Sequence, residues 1–171
     1  MYQLTLNVTK ALHQDHLTTL ALLERLESLF GQFPAKRVPP FDDVGAKAVF
    51  GDLAKVLDNE VGSHFLFEEE HLFPRFIEVA GEGIPSMLRD EHEAIRPLAR
   101  HLADLARGGL AEGFSATSWA EFHREGRQLI EREVFHVQKE EMGFLPALDQ
   151  FLSNDDDAAL FGIYAGTKDG I

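Results

Sequence analysis

The sequence predicts an all-α protein: an antiparallel, up-down four-helix bundle built from a duplicated pair of helices. Four long segments place apolar residues three and four positions apart, which is the period of an amphipathic helix. No stretch of useful length alternates apolar and polar residues as a half-buried strand would. A phrase at the end of the second segment also recurs 72 residues later, at the end of the fourth. Short connections between the segments favour antiparallel neighbours.

The first two helices have recognisable boundaries. The spacing predicts the first from about residue 9 to residue 30, followed by a loop that contains three prolines. Asp42 or Asp43 can cap the second helix, because a short acidic side chain accepts hydrogen bonds from the exposed N–H groups of the first turn. This helix is predicted to last until about Leu72, where Phe73-Pro74 interrupts it.

The third and fourth helices carry comparable signals. Pro85 suits the first turn of the third helix, and Gly108-Gly109 is predicted to end it. Ser118 with Glu121 has the spacing of a capping box, so the fourth helix is predicted to begin there and to reach about Leu145.

The chain of 171 residues suits one domain. Residues 1–150 are predicted to form the bundle, and residues 151–171 a peripheral C-terminal tail. Four residues of that tail can pack on the bundle or on a partner: Leu160, Phe161, Ile163 and Tyr164.

Composition excludes several classes of function. A net charge of −13 opposes binding to nucleic-acid phosphates and to anionic membrane surfaces. Without cysteine, the protein has no disulfide, no thiolate-ligated cluster and no cysteine nucleophile. The N-terminal residues lack the pattern of a secretory signal, and no stretch has the length of a membrane span, so a cytoplasmic protein is expected.

The recurring phrase carries the chemistry. It reads His-x-x-x-Glu-Glu, and a proline follows five residues after the second glutamate; the copies are His64, Glu68, Glu69 and Pro74, and His136, Glu140, Glu141 and Pro146. The first and third helices share a fainter acidic-His pair, Asp15-His16 and Glu91-His92. One His-x-x-x-Glu is common by chance, whereas two copies in a fixed register indicate a site.

Helical spacing gives these residues a common direction. Side chains four apart lie on one face of a helix, so each His-x-x-x-Glu can grip one cation and reach toward a second. His16 and His92 lie on the apolar faces of their own helices and should also point into the core. Buried carboxylates that lie close together repel unless cations pair with them. The candidate metal ligands are therefore His16, His64, Glu68, His92, His136 and Glu140. Glu69, about 100° around the helix from Glu68, is predicted to matter little.

At these residues the chain resembles the hemerythrin-like family, the HHE cation-binding domain, over roughly residues 9–147. The resemblance implies a four-helix bundle with a non-haem centre of two iron ions. Zinc or manganese can replace the iron in a recombinant sample. It implies that His16 and His64 bind one metal and that His92 and His136 bind the other. Glu68 and Glu140 would bridge the two metals.

One departure from the family bears on function. The oxygen-carrying members have His-x-x-x-His on the third helix, whereas Leu88 and Arg96 stand four residues either side of His92 here. His13, Glu91 or a water molecule would have to complete the coordination, with His13 as the possible extra ligand. More open coordination positions favour reaction or sensing over reversible oxygen carriage.

Three functions follow as alternatives. The leading one is a di-iron centre that senses or handles oxygen, nitric oxide, peroxide or iron, so that metal ions and these small molecules are the expected partners. The second is a di-iron enzyme: an oxidase, a peroxidase or a nitric-oxide-reducing protein. The third is a purely structural metal site.

Overall fold

A computed structural model describes residues 3–168, and its regular structure is helical. The helices are α1 (Asn7–Gln32), α2 (Val44–Asn59), α3 (Phe65–Phe67), α4 (Phe73–Ala80), α5 (Gly83–Glu112), α6 (Ala116–Lys139), α7 (Leu145–Phe151) and α8 (Asn154–Lys168). Three π-helical turns join some of them without a break: Glu60–His64, Glu68–Leu72 and Glu140–Phe144. The described residues thus form five continuous helical rods, and α1 and α5 each contact both α2 and α6. The chain is a helical bundle, as its periodicity predicted.

The rod that begins with α2 starts as predicted and runs further than predicted. The side chain of Asp43 accepts a hydrogen bond from the backbone N–H of Ala46 at 2.8 Å, which confirms one of the two predicted caps. The predicted interruption at Pro74 is wrong, because the rod continues through this proline to Ala80. Just ahead of it, Phe73 donates to the carbonyl of Glu68 across a π turn. A proline removes one hydrogen bond and crowds the carbonyl four residues back, and the wider turn accommodates both effects.

The ends of α5 and α6 also differ from the prediction. Helix α5 passes through Gly108-Gly109 and stops at Gly113, whose φ of 80° is a left-handed conformation that glycine adopts without strain. The capping box of α6 lies three residues earlier than predicted. Ser115 is the cap, and Ser118, predicted to be the cap, is its partner in the box.

The interior consists of two apolar clusters. The larger includes Phe30, Leu53, Leu102, Trp119 and Phe122. The smaller includes Leu12, Phe73, Leu88, Phe144 and Leu160. Both clusters draw on the helical rods that contain α1, α2, α5 and α6, at different heights, and the smaller one also draws on α8. Polar residues buried between the two clusters are therefore shut off from solvent above and below.

The C-terminal segment is hydrogen-bonded to the start of α1. The carboxylate of Asp157 accepts from the backbone N–H groups of Asn7 at 3.0 Å and Val8 at 2.8 Å. These N–H groups have no partner within their own helix, so Asp157 supplies the acceptors that a capping residue would. Leu160 and Tyr164 are buried against the bundle, while Phe161 and Ile163 are about 40% exposed. Within residues 3–168, every helix is too short or too polar to cross a membrane.

Candidate metal centre

The π turns lie at the recurring phrase. The turns Glu68–Leu72 and Glu140–Phe144 begin at the predicted bridging glutamates and keep the 72-residue spacing of the repeat. Each is followed by a proline in the first turn of the next helix. The third π turn, Glu60–His64, has no counterpart in α6. Such turns add a residue to a helix and re-aim its side chains, and they are frequent at functional sites.

The first group of candidate ligands consists of His16, His64, Glu68 and Glu140. All four residues are buried, and their ligand atoms lie within 4.8 Å of one another. Nε2 of His16 lies 3.3 Å from Nε2 of His64 and 2.9 Å from Oε2 of Glu140. Nε2 of His64 lies 3.4 Å from Oε1 of Glu68. One cation can reach all four atoms.

The second group repeats this arrangement with His92, His136 and the same two glutamates. Nε2 of His92 lies 3.2 Å from Nε2 of His136 and 3.4 Å from Oε2 of Glu68. Nε2 of His136 lies 3.2 Å from Oε1 of Glu140. Each glutamate therefore turns one oxygen toward the first histidine pair and the other toward the second pair. This arrangement would allow each carboxylate to bridge two cations.

In two of these histidines the outer ring nitrogen, Nδ1, contacts a carboxylate. Each carboxylate is the acidic residue of one of the acidic-His pairs. Nδ1 of His64 lies 3.3 Å from Asp15, and Nδ1 of His136 lies 3.0 Å from Glu91. Each acid thus orients the histidine of a different helix from its own. A proton held on Nδ1 leaves Nε2 free as a ligand, and such outer contacts fix the imidazole in many metal sites.

In the other two histidines, Nδ1 contacts the second glutamate of a recurring phrase. We call the four carboxylates that contact Nδ1 the bracing acids: Asp15, Glu69, Glu91 and Glu141. Nδ1 of His16 lies 2.6 Å from Glu141, and Nδ1 of His92 lies 2.8 Å from Glu69. The same Glu69 oxygen accepts from Arg96 at 2.8 Å. The expectation that Glu69 matters little is therefore not supported, because it orients a candidate ligand from a position one residue beyond Glu68.

The four bracing acids have partners of their own. Arg96 donates to Glu69, Lys139 to Glu91, and the hydroxyl of Tyr164 to Asp15. His13 meets Glu141 at 2.9 Å. The ring of His92 is also stacked on Phe65, with centroids 3.8 Å apart. The histidine rings are thus held in place by hydrogen bonds and packing around the centre.

The charges of the buried residues at this site are compatible with bound cations. Burial alone would lower the pKa of His16, but its contacts with Glu140 and Glu141 raise it to about 9. Burial alone would raise the pKa of Glu140, but His136 and His16 hold it well below its usual value. All four oxygens of Glu68 and Glu140 are buried, and the close polar contacts that they make among the described residues are to imidazole nitrogens at 2.9–3.4 Å. Two cations bound between the histidine pairs would satisfy these oxygens, so the residues fit a metal pair.

The remaining candidates lie elsewhere. His13 belongs to neither group, and its side chain is 43% exposed. Its Nδ1 contacts Glu141, and its role as an extra ligand stays a prediction. Glu91, also considered as a ligand, contacts the outer nitrogen of His136. A third group of possible metal ligands lies at the surface and consists of His101, Glu121 and Glu125.

Sequence reasoning missed two buried carboxylates next to the centre. Glu60 is 1% exposed and Glu133 is fully buried. Glu60 precedes His64 by four residues and Glu133 precedes His136 by three, which is the spacing of side chains on one face of a helix. Because the two positions do not correspond in the repeat, the duplication did not reveal them.

Comparison with known proteins agrees with this geometry. No curated protein matches the chain. The family model of the hemerythrin HHE cation-binding domain matches residues 7–155, which include both histidine pairs and both shared glutamates. The chain belongs to the hemerythrin HHE cation-binding domain family.

Proposed function

We propose that residues 1–150 form an antiparallel four-helix bundle whose interior binds two metal ions, which are iron in the cell. His16 and His64 bind one ion, His92 and His136 bind the other, and Glu68 and Glu140 bridge them. This proposal rests on one observation: each glutamate turns one carboxylate oxygen toward the first histidine pair and the other toward the second. A single cation would leave one pair and two carboxylate oxygens without a partner.

We further propose that the centre handles oxygen, nitric oxide or peroxide. Two histidines and two shared carboxylates give each ion four protein ligands, and iron commonly takes about six. Iron at this site would supply redox chemistry toward such small molecules. The four bracing acids support this role, because they keep the imidazoles oriented while other positions stay open to an incoming ligand.

A groove favours chemical reactivity over a purely structural metal site. It has a volume of about 870 Å³, lies between α1 and α2, and includes Asp15 and Thr19 among its lining residues. Asp15 contacts His64, and Thr19 contacts the buried Glu60. A small molecule in this groove would contact two residues that themselves contact His64 and Glu60. The same access suits a di-iron oxidase, peroxidase or nitric-oxide-reducing enzyme.

The test is to load the chain with ferrous iron without oxygen and to add azide, nitric oxide or peroxide. The proposal expects each probe to change the visible spectrum, and expects oxygen to oxidise the reduced centre without a long-lived adduct. Multiple turnovers with peroxide or nitric oxide would establish the enzymatic alternative. Two tightly bound ions that respond to none of these probes would overturn the reactive role and leave a structural one.

A further inference from the structure

Two fully buried carboxylates, Glu60 and Glu133, stand outside the ligand set proposed above. Glu60 is 1% exposed and Glu133 is 0% exposed. Neither forms an ion pair with a lysine or arginine among residues 3–168. A buried carboxylate without a cation or a hydrogen bond is strongly destabilising, so the fold must compensate these two groups in some way.

Their positions place them beside the metal centre and close to each other. Glu60 lies one turn before His64 in the same rod, and Glu133 lies three residues before His136. Side chains at such spacings are neighbours on a helix, with Cβ atoms roughly 5–6 Å apart. Burial, followed by the negative charges of Glu60 and Glu140, raises the pKa of Glu133 to about 8 against the opposing charge of His136. The two groups therefore belong to one layer with the candidate ligands.

The hydrogen bonds of this pair are incomplete. Oε2 of Glu60 accepts from the hydroxyl of Thr19 at 3.0 Å. Its Oε1, and both oxygens of Glu133, are buried without a hydrogen-bond partner among the described residues. Three buried acceptor atoms thus lie without a hydrogen-bond partner among the described residues, near a centre that, on the proposed function, holds four positive charges.

We infer that Glu60 and Glu133 are further carboxylate ligands, Glu60 to the ion bound by His16 and His64, and Glu133 to the ion bound by His92 and His136. The inference rests on the proposed function. Neither glutamate joins the two compact ligand groups in the structure, so each must turn toward its ion when metal binds. With Glu68 and Glu140, they supply four negative charges to two divalent ions. Oxygen donors of this kind favour hard ions such as ferric iron and manganese over soft ones.

This assignment predicts opposite effects in the presence and absence of metal. Glu60→Gln and Glu133→Gln keep the size of the side chain and remove its charge. In the chelator-stripped protein the unfolding temperature should stay the same or rise, because the amide needs neither a cation nor a proton to neutralise it. With ferrous iron or manganese, each variant should bind its ions roughly tenfold to a hundredfold more weakly, by analogy with the loss of other groups that support metal sites.

The experiment is a chelator competition for iron and manganese, combined with thermal unfolding with and without metal. Glu131→Gln is the matched control, because residue 131 is exposed on the same helix as Glu133, and it should behave like wild type. Wild-type affinity in both variants would overturn the inference, since protons and not metals would then compensate the carboxylates. Equal destabilisation with and without metal would also overturn it, because the role would be one of packing.

Two histidine variants separate this inference from the proposed function. If His64→Ala and His136→Ala keep two tightly bound ions, the proposed function itself is wrong. If they lose metal while Glu60→Gln and Glu133→Gln bind normally, the proposed function stands and only the additional ligands are rejected.

Discussion

Glu91 lies next to a candidate ligand in sequence, yet it braces the histidine of another helix: its Oε2 is 3.0 Å from Nδ1 of His136. Asp15 stands in the same relation to His64 in the first half of the chain. The acidic-His pair of each half therefore provides one candidate ligand and orients a second. This exchange ties neighbouring helices together at the height of the centre.

Glu91→Gln should weaken metal binding without unfolding the protein. The amide can accept a hydrogen bond from Nδ1 of His136 through its oxygen or donate one through its NH2 group. It therefore no longer selects the imidazole that carries its proton on Nδ1. We expect metal affinity to fall by roughly 10- to 100-fold, the usual effect of losing such a group. A chelator competition measures it, with the exposed Glu93→Gln as control. Equal affinities in the two variants would show that Glu91 does not support the site.

Glu69→Gln and Glu70→Gln should differ, although the two residues are adjacent. Glu69 contacts Nδ1 of His92 and the guanidinium of Arg96, whereas Glu70 is exposed. The first substitution should lower metal affinity to a similar extent as Glu91→Gln, and the second should leave it unchanged. Metal titrations of both variants decide the point. If Glu69→Gln binds like wild type, the contact with His92 has no functional weight.

The metal-free protein should lose stability as the pH rises. The pKa of His16 is raised from 6.5 to about 9 in the folded chain. A raised histidine pKa stabilises the fold below the unfolded value, and this contribution disappears as the pH passes through the folded value. The contribution of His16 to the free energy of unfolding should therefore fall by at most about 3 kcal/mol between pH 6.5 and 9. Denaturation of chelator-stripped protein tests this, and a rise over that window would contradict it.

Metal binding should show the reverse trend with pH. An ion must displace the proton of His16, so iron affinity should increase from pH 6.5 toward 9, and protons should be released on binding. Calorimetry of manganese binding in two buffers of different ionisation enthalpy measures the released protons. Binding without proton release at pH 7 would show that His16 is not a ligand.

Asp157→Ala should destabilise the start of α1. The substitution removes the acceptor for the N–H groups of Asn7 and Val8. The loss of such a cap costs about 1–2 kcal/mol of folding free energy. Asp155→Ala, at an exposed position two residues away, is the control. Chemical denaturation of the two variants compares them, and equal stabilities would mean that the C-terminal helix does not support α1.

The sequence was informative wherever a residue repeats a pattern. Helical periodicity located the bundle. The duplicated phrase, together with two histidines on the apolar faces of the first and third helices, identified the six candidate ligands that the structure brings together in two groups. Local stop signals were less reliable. Pro74 and Gly108-Gly109 ordinarily end helices, but a π turn absorbs the proline, and packing carries α5 past the glycines. Propensity is a weak guide where tertiary contacts oppose it.

Contacts between helices could not be derived from spacing alone. The helical spacing placed Glu69 about 100° around the helix from Glu68, but nothing in the sequence indicated that both carboxylates would contact His92. Glu133 was missed for a different reason. Its equivalent in the first half is Val61, so the repeat that revealed His136 and Glu140 gave no sign of a third polar residue on that face.

The most direct test of the two-metal centre is the number of iron ions bound per chain, in wild type and in Glu68→Gln. Anaerobic titration with ferrous iron, checked by elemental analysis, should give two ions per wild-type chain. A structure of the loaded protein should place them about 3.5–4 Å apart. Because Glu68 serves both histidine pairs, its neutralisation should weaken both ions together. A single ion per chain, or the loss of only one in Glu68→Gln, would contradict the bridged pair.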